Sequence, residues 1–299
     1  MDEVEISYNK SSVNLVDDYK KYGYVILKNV FEDDEIRSFR NEIKKHELDL
    51  EKNVHRNNNN LKDVLSYSNL SKALLNKKLI NTIKQLLNST PIYFGQSSFR
   101  WNEKPSRGFH NDANNDNECP FQSEYPILRI GIYFQDHDQT SGGLKIWPKS
   151  NSVWQPGRAL LKKIIKHRYS FKNLFPQQYL KNINVKTKAG DVVLWNLRTA
   201  HSGSAIRLKY FTNCSLSPLI ENFISKYLNF LVKPIGTERA VIFSTFGAES
   251  PQLNNFMKYA EDHEGLKIIF KNSNWNDLVI KEGFSLGLKL NNKLLDKFK

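Results

Sequence analysis

Seven histidines occur in the chain, and one of them opens a His-x-Asp, in Phe109-His110-Asn111-Asp112. Alternate residues of an extended chain point to one side, so His110 and Asp112 can aim at a single metal ion. A third ligand must come from far along the chain. His201 is the candidate, after Gly190-Asp191, the apolar run Val192-Val193-Leu194-Trp195 and its sequel to Ala200. Two imidazoles and one carboxylate on one face of an octahedron leave three open positions, which suits Fe(II) that must hold an organic cosubstrate and dioxygen (O2) together. A 2-oxoglutarate would fill two of them through its 2-oxo acid end, and its far carboxylate would need a cation. Arg207, six residues after His201, would head the next strand and offers a bidentate, charge-assisted clamp. Lys209 lies two residues further, on the same face of a regular strand, and is the alternative.

Taken singly, each of these residues has an ordinary explanation. His-x-Asp arises by chance, His201 could cap or hydrogen-bond, and Arg207 could form a surface ion pair. Their order is harder to obtain by accident: His-x-Asp, short strands, Gly-Asp before an apolar strand, a histidine at its end and an arginine soon after. The main rival is a jelly-roll protein that keeps the fold and only binds a ligand, which would not need three metal ligands beside a cation.

The elements that must position these residues read as follows. The first 90 residues are mostly helical around one strand at Tyr22 to Lys28, with an amphipathic helix from Asp33 that places Ile36, Phe39 and Ile43 on one face. From Pro91 short runs punctuated by Gly, Pro, Asn and Asp predict strands at 92–101, 127–135, 144–147, 184–186, 191–195 and 209–217. Such spacing suggests a sandwich or jelly roll. The basic, aromatic stretch at 155–180 reads as an insertion. Beyond Pro218 come a helical segment to about Val232, a strand at 239–246, a helix at 252–261 and a lysine-rich tail. The expected organisation is one domain over 1–299: a helical buttress (1–90), a jelly-roll core (91–218) and a C-terminal extension (219–299).

Lys and Arg number 44 against 31 Asp and Glu, a formal charge of +13 that biases the protein towards anionic partners, including an anionic small-molecule substrate. The basic residues are spread along the chain without a nucleic-acid-binding motif, so no nucleic-acid partner is expected. With two cysteines outside any metal-binding spacing, an acidic N-terminus and no long apolar run, the expectation is a soluble cytoplasmic protein without a membrane span, disulfide framework or structural zinc. Nothing in the sequence speaks to oligomeric state.

At this point the sequence resembles the phytanoyl-CoA dioxygenase-like family of Fe(II)/2-oxoglutarate-dependent oxygenases over roughly its first 220 residues. The resemblance rests on Tyr22-Gly23-Tyr24-Val25-Ile26-Leu27, Gln96-Ser97, Phe109-His110-Asn111-Asp112, the Gly-rich stretch Ser141-Gly142-Gly143 to Asn151, and Ala189-Gly190-Asp191 through His201-Ser202-Gly203. Pro148-Lys149-Ser150-Asn151 departs from the family's Pro-Gly-Ser-His, and Arg207 follows His201 more closely than the clamp usually does. The resemblance implies a double-stranded β-helix (cupin-like jelly roll) with flanking helices. It implies iron ligands at His110, Asp112 and His201, a clamp at Arg207, and cosubstrate contacts at Gln96 and Ser202. It further implies hydroxylation of a C–H bond with release of succinate and carbon dioxide. Related halogenases lack the carboxylate found at Asp112, which favours hydroxylation over halogenation. Arg100, Trp101, Arg129, Tyr133, Trp147 and Trp154 could line the pocket, and none is assigned to specificity.

Overall fold

The structure, a computed structural model, describes residues 7–8, 13–52, 61–101, 110–113, 125–137, 140–152, 182–210, 218–234 and 239–298. Its strands are β1 (Ser7–Tyr8), β2 (Tyr24–Leu27), β3 (Ile92–Tyr93), β4 (Ser97–Trp101), β5 (Ile127–Tyr133), β6 (Gly143–Ile146), β7 (Ile183–Asn184), β8 (Val192–Asn196), β9 (His201–Ala205), β10 (Ala240–Gly247) and β11 (Lys289–Leu290). The larger sheet runs β1-β2-β8-β5-β10-β3-β11, with β4 also paired to β10, and the smaller runs β7-β6-β9. These are the two sheets of a jelly roll.

Helices flank them on both sides of the sequence. Before the jelly roll come α1 (Val13–Tyr22), α2 (Asp33–Lys52), α3 (Ser71–Leu74) and α4 (Lys77–Leu87). After β9 come α5 (Pro218–Tyr227), α6 (Pro251–Asp262), α7 (Glu264–Asn272), α8 (Asp277–Ser285) and α9 (Lys293–Lys297). Helix α2 starts with Asp33, Asp34 and Glu35, which suit the positive end of its dipole. Its Ile36, Phe39 and Ile43 are buried as their spacing predicts. Phe39 packs its ring 5.7 Å from that of Phe134, and Arg40 Nη1 donates to the Phe134 carbonyl at 2.9 Å, so the helix is fixed to the end of β5.

Gly190-Asp191 shows why an apolar strand starts where it does. Gly190 has φ +87°, and a Cβ there would lie 2.8 Å from Ile36 Cδ1 and 3.0 Å from the Phe31 carbonyl oxygen, so only glycine lets β8 come this close to the N-terminal segment. The fully buried Asp191 then accepts from Asn29 N at 3.1 Å, Lys188 N at 2.8 Å and Lys28 Nζ at 3.1 Å. That knot aligns β2 beside β8, with Tyr24 opposite Trp195.

Several sequence expectations are corrected. The strand expected at 92–101 is two, because Gly95 at φ +87° turns the chain between β3 and β4. Of the strand expected at 209–217, Lys209 and Tyr210 form a bend and 211–217 lie outside the described residues. The strand after β8 is instead β9, which begins at His201. Its Ser-Gly-Ser stretch has turn composition, yet pairing with β6 holds it extended, a tertiary contact overriding local preference. Strand β10 sits inside the larger sheet between β5 and β3/β4, so the jelly-roll strands continue past the boundary expected at 218. The lysine-rich tail is largely helical and contributes Phe270, Leu294 and Leu295 to the core. The whole of the 155–180 insertion lies outside the described residues.

Candidate metal centre and its cavity

Backbone pairing brings the two halves of the triad together. His110 N donates to the His201 carbonyl at 3.0 Å and His201 N to the His110 carbonyl at 2.8 Å, while Asp112 N donates to the Leu197 carbonyl at 3.1 Å. The His-x-Asp is thereby laid along the connection between β8 and β9. One ligating atom from each of His110, Asp112 and His201 lies within 4.8 Å of the others. Asp112 Oδ1 stands 3.8 Å from His110 Nε2, and Asp112 Oδ2 stands 3.5 Å from His201 Nε2.

The donor set fits a divalent transition metal. His201 Nδ1 is 3.0 Å from the Thr199 carbonyl, which as an acceptor requires the proton on Nδ1 and leaves the Nε2 lone pair turned towards Asp112. Burial pushes the His201 imidazole down to about 4, so it is neutral and able to ligate at physiological pH. For Asp112 burial alone would raise the carboxyl, but Arg129 and the two imidazoles pull it below its ordinary value. Arg129 Nη1 donates to Asp112 Oδ2 at 3.0 Å.

Strand register explains what surrounds the triad. Across β4, β10, β5 and β8, Ser98 faces Phe243, which faces Gly131, and Arg129 faces Trp195. Side chains in register share a face, and period 2 adds Arg100 and Arg239 to it. Gly131 keeps that face open: a Cβ there would lie 3.0 to 3.3 Å from the rings of Tyr133, Trp195 and Phe243. The result is a cavity of about 550 Å³ between the sheets. Arg100, Arg129, Trp195, Arg239 and Phe243 line it from the larger sheet, Leu144 and Gly203 from the smaller, and Phe256, Tyr259, His263 and Leu266 from α6, α7 and their junction.

Of the sequence candidates, His110, Asp112, His201 and Gln96 line this cavity, as do Arg100 and Arg129. Gln96 Oε1 and Trp195 Nε1 are buried there without a hydrogen-bond partner among the described residues, a costly state that a polar ligand would relieve. Ser202 is not among the lining residues: it alternates with His201 and Gly203, opposite Lys145 on the other face of β9. Arg207 is buried but also outside the lining. Its backbone N donates to Ser141 Oγ at 3.0 Å, and its charge acts on His137. Lys209 is exposed. Trp101, Tyr133 and Trp147 do not line the cavity, and Trp154 lies outside the described residues.

Sequence reasoning missed Arg239, which is 5% exposed and lines the cavity at the head of β10. A signal existed: it precedes an apolar run, the same head-of-strand position argued for Arg207. Nearby, the Tyr133 hydroxyl is buried without a hydrogen-bond partner among the described residues, and both Arg239 and Arg129 act electrostatically on it.

Residues 19–207 match the family Phytanoyl-CoA dioxygenase (PhyH). None of the curated proteins matches the chain. Among solved structures, EctD from S. alaskensis with bound Fe is similar at 15% identity and TM-score 0.51, covering 81% of this chain and 80% of that one. HygX from Streptomyces hygroscopicus with iron bound is similar at 14% identity and TM-score 0.51, covering 80% and 87%. The non-heme alpha ketoglutarate dependent carbocyclase SnoK from nogalamycin biosynthesis is similar at 16% identity and TM-score 0.50, covering 80% and 84%. At such identities the likeness is one of fold.

Proposed function

This chain belongs to the phytanoyl-CoA dioxygenase (PhyH) family, and on that premise we propose that it is an Fe(II)- and 2-oxoglutarate-dependent dioxygenase that hydroxylates a C–H bond of a small molecule. The observation that carries the reading is the meeting of His110, Asp112 and His201, from distant stretches of chain, at a cavity that also holds Arg239. Those three residues would hold the iron. With 2-oxoglutarate and dioxygen, iron there would supply the oxidising chemistry, with succinate and carbon dioxide released.

The chain's own residues do the rest. Thr199 fixes the His201 tautomer, and Arg129 engages one oxygen of Asp112. For the distal carboxylate of 2-oxoglutarate we assign Arg239 in preference to Arg207 or Lys209, because Arg239 is the one that lines the cavity. Trp195 and Phe243 would exclude water from the reacting carbon.

Anaerobic titration with Fe(II) and then 2-oxoglutarate tests the reading. The wild type should develop the visible metal-to-ligand charge-transfer band of the bound 2-oxo acid, and His201→Ala should not. A folded wild-type protein without that band would favour a jelly roll that binds ligands only.

A further inference from the structure

Resting on the oxygenase reading, we infer that His137 is a positioning residue: acting through Gln135, it sets the head of β10 and so the aim of Arg239 at the distal carboxylate of 2-oxoglutarate. His137 is 1% exposed, is not one of the clustered metal-ligand candidates and does not line the cavity. Its hydrogen bonds lead towards the cavity all the same. Ala240 N donates to Gln135 Oε1 at 2.8 Å, which fixes the way the amide faces and turns Gln135 Nε2 to His137 Nε2, also at 2.8 Å. An amide nitrogen can only donate, so the imidazole accepts at Nε2, carries its proton on Nδ1 and donates it to Thr187 Oγ1 at 2.9 Å. Burial, then Arg239 and Arg207, hold the imidazole down at about 3, so it remains the neutral acceptor that Gln135 requires.

Register shows why the head of β10 needs this support. On the β4 side Ala240 pairs with Trp101, but on the β5 side the ladder stops at Val241 opposite Tyr133. The pair that would continue it, Ala240 with Phe134, is half made. Phe134 N donates to the Ala240 carbonyl at 3.2 Å, while the Phe134 carbonyl accepts from Arg40 Nη1 at 2.9 Å. Gln135 Oε1 takes the place of that carbonyl for Ala240 N, one residue from Arg239. His137 is in turn backed by the smaller sheet and its approach. His137 N donates to the Thr187 carbonyl at 2.8 Å, and a Cβ on Gly143 of β6 would lie 3.2 Å from the His137 Cβ and Cγ. The Tyr133 ring packs on the imidazole with centroids 4.8 Å apart at 84°. Supporting contacts of this kind hold a binding side chain to one geometry.

Calorimetric titration of the Mn(II)-loaded protein with 2-oxoglutarate tests this. His137→Phe keeps a ring and removes the acceptor, and should weaken 2-oxoglutarate binding roughly fivefold or more, the scale of one lost hydrogen bond, with Mn(II) affinity unchanged. Gln135→Leu should do the same. His137→Gln, which keeps both an acceptor and a donor, should bind closer to the wild type than His137→Phe does. In an Arg239→Gln background His137→Phe should weaken binding no further, a result that general loosening of the fold would not give. Wild-type affinity for 2-oxoglutarate in His137→Phe, or an undiminished further loss in the Arg239→Gln background, would overturn the inference. If His137→Phe fails to fold, Gln135→Leu and Thr187→Val carry the same comparison. A wild-type protein that takes up no 2-oxoglutarate would overturn the oxygenase reading, and the inference with it; a wild type that binds while the variants bind equally well would overturn the inference alone.

Discussion

Asp112 is where opposing requirements meet: it must be ionised to hold a metal, yet it is largely withdrawn from water. Arg129 and the two imidazoles reconcile these by holding the carboxyl below its ordinary value. Asp112→Ala should therefore abolish tight Fe(II) binding, measured by anaerobic calorimetry, and it leaves Arg129 without its carboxylate. Asp112→Glu, with one more methylene, tests whether placement matters as well as charge. The cations separate just as sharply. Arg239→Gln should raise the KM for 2-oxoglutarate at least tenfold, because losing one side of a buried charged pair costs about 2 to 5 kcal/mol. Arg207→Gln should instead lower the melting temperature with little change in that KM, and Lys209→Ala should change neither. An unchanged KM in Arg239→Gln would return the clamp to another cation. At this scale the His110–Asp112 half of the candidate metal cluster was legible, since His-x-Asp is a local pattern read from period 2. Arg239 was not, because only the neighbours of β10 show that its head opens on the cavity.

Among the elements, the C-terminal helices are tied to the sheet by one buried carboxylate. Asp63 Oδ1 accepts from Trp275 Nε1 at 2.9 Å and Leu65 N at 3.0 Å, and Oδ2 accepts from Ser97 Oγ at 2.6 Å and from the Tyr93 hydroxyl. The knot joins the segment before α3, the start of β4 and the chain after α7. Asp63→Ala strands several buried donors and should cost about 3 to 5 kcal/mol in urea unfolding. Burial pushes the Asp63 carboxyl above its ordinary value, against the pull of Ser97, Tyr93 and Trp275. A carboxyl raised on folding has its full stability below the unfolded value of 3.8 and loses it as pH rises through the folded value. Asp63→Asn retains an acceptor for Trp275 and Leu65 and should flatten that loss. Unfolding free energies of the two proteins compared as pH rises from that unfolded value check the sign. Beyond the short turn to Leu65 N nothing local marks Asp63, since its side-chain partners Tyr93, Ser97 and Trp275 lie 30 or more residues away.

For the whole molecule, a metal and cosubstrate that bind only the folded chain must stabilise it. At about a hundred times its dissociation constant a ligand adds about 2.7 kcal/mol, which for a protein of this size is a rise in melting temperature of roughly 4 °C. Mn(II) with 2-oxoglutarate should produce that rise in the wild type but not in His201→Ala, read by scanning calorimetry. What the sequence by itself determined is whatever depends on short-range pattern. The strand after Gly190-Asp191, the face of α2, the pairing of His110 with Asp112 on one side and the succession of short strands all follow from periods of 2 or 3.6 and from glycine's backbone freedom. What only the tertiary structure decided is which distant residues share a face. The place of β10 inside the larger sheet, the pairing of β9 with β6, Arg239 in the cavity and the wall from α6 and α7 depend on sheet order and register. Those are set by long-range hydrogen bonding and burial, which no window of neighbouring residues contains.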